Sequence, residues 1–281
     1  MAALHRAVQT LRAVGGAVSQ PPFVPNGHFY SPVNGPADVA RALSPIEDLP
    51  GVELREAEQL ELFASLLALF EDAPNKRYRA GAGSGNSMYD TSDALVYRAF
   101  VRRLKPRRII EVGSGFSTAM LLDTADQYLP DLSVTCVEPY PDRLNSLLLP
   151  EDKIDLIAAP VQDVPVETFA ALEADDILFI DSTHVAKAGS DVLWLFLHVL
   201  PRLAPGVVVH VHDMFWPFEY PAQWLKEGRS WNEDYLVHAF LCHNQAWRIE
   251  LFSSWLWHRH PDSVPEQLRG QEPGALWLRR V

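Results

Sequence analysis

Two apolar runs end in carboxylates and carry histidines beside them. Residues 176–181 read Asp-Ile-Leu-Phe-Ile-Asp and are followed by Ser-Thr-His, so His184 stands three positions beyond Asp181. Residues 207–213 read Val-Val-Val-His-Val-His-Asp, which places His212 and Asp213 at the end of the second run. Two acids and a histidine delivered to one edge can hold a divalent cation. Oxygens from Asp181 and Asp213 suit magnesium, calcium or manganese, and His212 tilts the set toward manganese, iron or zinc. The other reading is that His212 and Asp213 orient a substrate or pair with each other. A neutral imidazole at His184 could take the proton of a hydroxyl, with Lys187 as second candidate; His184 could equally cap the helix that follows. His210-x-His212-Asp213 also admits a metallohydrolase, which would need further ligand clusters after other strands, and the sequence offers none.

For these groups to meet, the two runs must be adjacent strands. From Arg108 onward β and α patterns alternate: strands over 108–112, 132–138, 153–159, 176–181 and 206–212, with helices over 116–128, 141–148, 165–172 and 186–203. A helix over 231–244 and strands over 247–252 and 275–280 complete the chain. The alternation predicts a doubly wound, Rossmann-like α/β sheet with its site at the carboxyl ends of the strands. Side chains alternate along a strand, so His210 and His212 share one face.

The first strand leads into Glu111-Val-Gly-Ser-Gly, with Thr118 opening a helical pattern. Glycine at 113 and 115 permits a sharp turn and a close approach by a ligand, and the helix start favours a carboxylate or phosphate. Glu111 suits a cationic or hydroxyl-bearing group. The third glycine of a dinucleotide fingerprint is absent where Thr118 stands, which disfavours a nicotinamide-dependent oxidoreductase. The second strand closes on Glu138, about 25 residues on, where a carboxylate can accept from both hydroxyls of a ribose.

Glu-x-Gly-x-Gly with an acidic residue closing the second strand resembles the class I S-adenosylmethionine (SAM)-dependent methyltransferases. The resemblance runs from about Tyr89 to the C-terminus. It is nearest to bacterial members that share Ile-Asp-Ser-x-His and His-Asp-x-Phe-x-Pro-Phe-Glu-Tyr-Pro stretches, found here at 180–184 and 212–221. It implies a seven-stranded sheet, mostly parallel with the last strand antiparallel, and SAM as cofactor. Glu111, Gly113, Ser114 and Gly115 would hold its methionine end, Glu138 the ribose, and Gln162 and Asp163 the adenine, with Asp181 bordering the same site. It also implies O-methylation of a small-molecule hydroxyl, on a sugar or natural product, assisted by Mg2+ or Mn2+. Metal-dependent O-methyltransferases carry a carboxylate where this chain has His212, and a lysine at the offset occupied by His184. A catalytically silent SAM-fold binding protein is the reading from outside enzymology.

The stretch after Asp213 is dense in aromatics. Phe215, Trp216 and Trp231, with Tyr30 and Tyr89 from earlier segments, are candidate walls of a substrate pocket; the same density would suit a homodimer interface. Residues 1–85 read as an N-terminal arm and a covering helix, 86–281 as the methyltransferase domain. Within the first part, 1–19 suggests a non-targeting helix, 20–50 is rich in turn chemistry, 54–70 is an amphipathic helix, and the Gly-rich stretch 80–90 precedes a helix over 92–104.

A formal net charge of −12 over 281 residues argues against a broad phosphate-binding surface, and so against nucleic acid as partner. Two cysteines without disulfide or zinc spacing suit a reducing cytoplasm. No apolar run is long enough to span a membrane.

Overall fold

Strand β1 (Arg108–Val112) carries Ile109, Ile110 and Val112 into the interior, because a strand covered by helices on both faces has no solvent side to give a polar residue. In the computed structural model β1 pairs in parallel with β2 (Ser133–Val137) and β4 (Ile177–Ile180). β3 (Asp155–Ile157) extends the sheet beyond β2, and β5 (Val208–His212) beyond β4. Two final strands, β6 (Trp247–Phe252) and β7 (Ala275–Arg280), complete the seven-stranded order β3-β2-β1-β4-β5-β7-β6. β7 runs antiparallel to both of its neighbours. This is the doubly wound, Rossmann-like sheet anticipated from the alternation of patterns, and the antiparallel last strand is the one the resemblance implied.

Register, more than order, fixes the site. Val112 lies opposite Val137 on one side and Ile180 on the other, and Ile180 lies opposite Val211. The residues that follow, Gly113, Glu138, Asp181 and His212, therefore form one row along the carboxyl edge of the four central strands.

The helices cover this sheet. α1 (Glu56–Leu67) packs on β6 and on α2 (Thr91–Leu104), and α2 packs on α3 (Phe116–Tyr128). Gln59 in α1 is fully buried because its amide bridges the chain, accepting from the Phe252 N–H at 2.7 Å and donating to Leu54 O. Asp90 caps α2 by accepting from the Ser92 N–H, and Lys105 ends it in the left-handed conformation just before Pro106. α4 (Asp142–Leu147), α5 (Val166–Ala170), α6 (Asp191–Trp194) and α7 (Glu233–Leu241) follow in turn. Trp277 in β7 stacks on Phe100 of α2 with ring centroids 3.9 Å apart. The Arg77 side chain is buried among Asp123, Asp126 and Asp152 and ties its segment to α3.

The described residues are 21–70, 76–79, 86 and 88–281, and they form two compact units: 21–44 with 222–230, and 45–221 with 231–281. The helix suggested over 1–19 and most of the Gly-rich stretch 80–90 lie outside the described residues. In the smaller unit, a helix Pro36–Ala42 interrupts the arm that turn chemistry suggests; its start is closed by Asp38 accepting from the Gly35 N–H at 2.9 Å. Another element unforeseen in the sequence is α8 (Ser253–Arg259), which leaves β6 directly.

The helix expected over 186–203 is different in kind. Residues 181–190 form an extended loop, Ser190 caps α6 through the Leu193 N–H, and the chain continues as a π turn over Leu195–Val199 and a 3-10 turn over Leu200–Arg202. Gly189 with φ +75° and the competing Ser190 cap stop the helical pattern from reaching back to 186. The loop also carries Ser182, Thr183 and His184.

Candidate active site

The turn after β1 is tight for a geometric reason. Gly113 has φ +82°, and a Cβ there would lie 1.9 Å from the Asp181 carbonyl oxygen. Its N–H donates to Val137 O at 3.0 Å, and the Asp181 N–H donates to Val112 O at 2.8 Å, so the three strand ends are laced together at this point. The next two amides are also engaged: the Ser114 N–H donates to Glu138 Oε2 at 3.2 Å and the Gly115 N–H to Thr118 Oγ1 at 3.1 Å. Glu111 is buried beneath the turn and receives hydrogen bonds from the Thr118 and Tyr97 hydroxyls. Burial pushes its carboxyl up to about 7, against the pull of those two donors.

Beside this turn lies a cleft of about 430 Å³, lined among others by Gly113, Glu138, Tyr140, Gln162, Asp181 and Lys187. Its remaining wall is the loop after β4 and the start of α6. Gln162 donates to Gly189 O at 2.8 Å. Asp163 is exposed and outside the lining, and it does not cap α5. Ser182 Oγ, buried on the cleft wall, and Ser114 Oγ in the turn have no hydrogen-bond partner among the described residues.

Asp181 belongs at once to the cleft and to a second group of side chains. His184, whose φ is +59°, directs Nε2 at Asp181 Oδ1 and Asp213 Oδ2, each 3.4 Å away. His212 directs Nδ1 at Asp213 Oδ1 and Asp181 Oδ1, at 3.5 and 3.7 Å, and neither of its ring nitrogens has a hydrogen-bond partner among the described residues. Asp181, His212 and Asp213 thus offer ligand atoms within 4.8 Å of one another.

The groups determine one another's charge. Burial alone would lower the His184 pKa, but Asp181 and Glu233 push it up to about 10. Burial likewise opposes a charge on His212, and Asp213 and Asp181 more than offset it, so its pKa also rises. Burial would raise Asp181, yet the two histidines hold it below the usual carboxylate range; for Asp213 burial prevails and its pKa is raised. His210, two residues before His212, belongs to the core: it is fully buried, stacked on Phe179 at 4.2 Å and edge-on to Trp277 at 4.5 Å.

The aromatic candidates separate. Trp231 lies against His184 with ring centroids 4.6 Å apart. Tyr89 is buried against His212 at 5.2 Å. Phe215 is buried, with its N–H directed at Asp234, and Trp216 lines a different cavity with Leu49 and Trp255. Tyr30 belongs to the smaller unit, where it is 69 % exposed beside Phe29.

Three residues join the site without having been conspicuous in the sequence. Glu233 Oε2 accepts from His184 Nδ1 at 2.9 Å. Asn232 holds the Ala186 backbone, accepting from its N–H at 2.6 Å and donating to its O at 3.3 Å. Asp93, in the first turn of α2, reaches to 3.5 Å from His212 Nε2 while accepting from the Gly274 N–H. The Trp231-Asn232-Glu233 run at the start of α7 was the available signal, since polar residues at a helix start either cap or reach out. Which they reach depends on tertiary placement.

Residues 110–214 match a methyltransferase domain family. An uncharacterised protein of Archaeoglobus fulgidus is 34% identical over 166 residues, which covers 54% of this chain and 75% of that protein. Among solved structures, the SAH-bound methyltransferase PaMTH1 of Podospora anserina is 16% identical, covering 84% of this chain and 100% of its own, with a TM-score of 0.49. The O-methyltransferase TomG of Streptomyces achromogenes, involved in tomaymycin synthesis and solved with SAM, is 15% identical, covering 82% and 100%, with a TM-score of 0.47.

Proposed function

We propose that this chain, whose residues 110–214 match a methyltransferase domain family, is a class I SAM-dependent methyltransferase that methylates a hydroxyl oxygen of a small molecule, at the point where the cleft beside the Gly113 turn meets the histidine–carboxylate cluster. The observation that carries this reading is the double membership of Asp181, which lines the cleft and stands 3.4 Å from His184. An acceptor bound there is next to both the donor and groups able to take its proton.

The cofactor assignments follow the edge of the sheet. The Gly113 turn and the side chains of Ser114 and Ser182 receive the methionine end, Glu138 the ribose, and Gln162 the adenine. The two serine hydroxyls without protein partners are what a polar ligand would engage. Glu111, buried and bonded to Thr118, shapes the turn from below. Asp163, exposed outside the lining, contributes less than Gln162.

SAM already carries its activation in the positive sulfur. The protein's tasks are therefore to hold the acceptor in line with the methyl group and to keep water out. Trp231, packed on His184, forms the acceptor wall, and Tyr89 supports His212 from below. The acceptor proton passes to the cluster as a unit, since each imidazole stands 3.4–3.7 Å from both carboxylates and such groups titrate together. His184 alone is not the neutral base that its position in the sequence suggests, because its carboxylate neighbours keep it protonated at neutral pH. Lys187 stands exposed at the cleft rim.

Asp181, His212 and Asp213 fit a divalent cation. His212 Nδ1 is buried without a partner and faces two carboxylate oxygens at separations too long for hydrogen bonds. A cation held there would polarise the acceptor oxygen and lower its pKa.

The test is calorimetric binding of S-adenosylhomocysteine, with and without EDTA, followed by transfer of labelled methyl from SAM to a panel of hydroxyl-bearing and amine-bearing small molecules. Binding with turnover on hydroxyls is expected. Binding with turnover on amines alone would refute oxygen as acceptor, and absence of binding would refute the cofactor site.

A further inference from the structure

His184 sits in a loop, yet that loop is fastened to the start of α7 through backbone and side chain alike. The Asn232 and Glu233 N–H groups donate to His184 O at 3.0 and 3.2 Å. Asn232 Oδ1 accepts from the Ala186 N–H at 2.6 Å, and its Nδ2 donates to Ala186 O at 3.3 Å. Glu233 Oε2 accepts from His184 Nδ1 at 2.9 Å. Two consecutive residues thus hold both the main chain and the ring of a distant histidine.

These contacts replace an ordinary helix start. Asn232 stands at the N-cap of α7, where an asparagine side chain usually accepts from the helix's own N–H groups, and it makes no such bond. Its amide is directed at Ala186 instead. Glu233 is fully buried, and its Oε1 has no hydrogen-bond partner among the described residues. Stability alone does not call for such a group, since replacing a buried ion pair by well-packed apolar side chains is often neutral or stabilising. His184 is kept at φ +59°, which is unfavourable for a residue with a Cβ and persists only where the surroundings over-determine it. The result is a fixed ring. With Nδ1 held by Glu233 and the imidazole packed against Trp231 at 4.6 Å, Nε2 faces the opening between Asp181 Oδ1 and Asp213 Oδ2, each 3.4 Å away. Both separations exceed the usual N–H···O length, so Nε2 is committed to neither carboxylate.

We infer that Asn232 and Glu233 are positioning residues for methyl transfer, acting through His184: they hold its Nε2 where the acceptor oxygen meets the carboxylate pair. The inference rests on the proposed O-methylation and adds the residues that set its geometry. As the O–CH3 bond forms and the S–CH3 bond of SAM breaks, the acceptor proton passes to the cluster. A hydrogen bond between the acceptor oxygen and a fixed Nε2 keeps that oxygen on the line of approach. A ring free to turn would lose the alignment and leave binding of acceptor and cofactor nearly unchanged.

The test compares Glu233→Gln, His184→Gln and the double variant in transfer of labelled methyl from SAM, at one pH, to the hydroxyl-bearing acceptor that the wild type turns over fastest. Glu233→Gln keeps the size of the side chain but offers Nδ1 either an oxygen or an NH2 group, so the ring loses its single orientation. It should lower kcat about 10–100-fold, with acceptor KM and S-adenosylhomocysteine affinity close to native. On the His184→Gln background it should do no further harm, because it acts only through that ring. Asn232→Ala should behave in the same non-additive way. NMR of isotope-labelled histidine should show a hydrogen-bonded Nδ1–H that is absent in His184→Gln and shifted or lost in Glu233→Gln. Native kcat in Glu233→Gln, a fall that adds fully to that of His184→Gln, or a raised KM at unchanged kcat would overturn the positioning role. Loss of S-adenosylhomocysteine binding in Glu233→Gln would overturn it too, by showing a role in folding. A wild-type chain that shows the Nδ1–H resonance and binds S-adenosylhomocysteine, but methylates no hydroxyl, would strike at the proposed function, and this inference would fall with it.

Discussion

Glu111 lies buried under the glycine turn, so its ionisation should be visible as a pH dependence of stability. Its carboxyl titrates near 4.5 when exposed and at about 7 in the fold. A raised carboxyl pKa means that the folded chain retains the proton longer than the unfolded one. The resulting stability is fully present below pH 4.5 and is lost as the pH rises to about 7. The difference corresponds to about 3 kcal/mol between the two ends of that window. Glu111→Gln keeps the shape of the neutral acid, with an oxygen to accept from Thr118 or Tyr97, and has nothing to ionise. Urea unfolding of both chains at a series of pH values from 4.5 to 8 isolates the effect, because every other titrating group is common to the two. The variant should gain about 3 kcal/mol on the native chain across the series. Parallel curves would refute the reasoning, showing that Glu111 is ionised in the fold at no cost and that its two hydroxyl donors fully offset its burial.

Three further outcomes follow from particular contacts. Gly113→Ala places a Cβ 1.9 Å from the Asp181 carbonyl at a φ of +82°, so it should abolish S-adenosylhomocysteine binding in calorimetry and lower the melting temperature; near-native affinity would mean that the turn can relax. Arg77→Met leaves Asp123 and Asp152 buried without their cation and should cost about 3–5 kcal/mol in urea unfolding. Glu138→Ala should weaken S-adenosylhomocysteine at least about tenfold by removing a charged acceptor from the cleft, and binding of methylthioadenosine, which keeps the ribose, should fall by the same factor.

The sheet was legible in the sequence because its signal is local. An apolar run such as Ile109-Ile110-Glu-Val112, bounded by charge and glycine, has one stable environment, and strands β1, β6 and β7 fall on the residues that the pattern marks. The row Gly113, Glu138, Asp181, His212 was legible too, since each ends a strand and parallel pairing aligns strand ends. Element edges were less so: residues 186–190 read as the start of a helix until Ser190 and Gly189 are weighed, and Pro36 opens a helix inside a stretch rich in turn residues.

The partners of the site were not legible. Glu233 lies 49 positions from His184, and Asp93 more than a hundred from His212, so no spacing rule links them. Only packing of α2 and α7 against the sheet edge decides that one histidine has a carboxylate at its back and the other a carboxylate at its tip. The same packing decides that His210 is core while His212, two residues on, faces the carboxylates. Sequence determines which residues reach the edge of the sheet, through short-range periodicity. Charge state and ligand role are set by burial and by neighbours brought from distant segments, and both are properties of the tertiary structure alone.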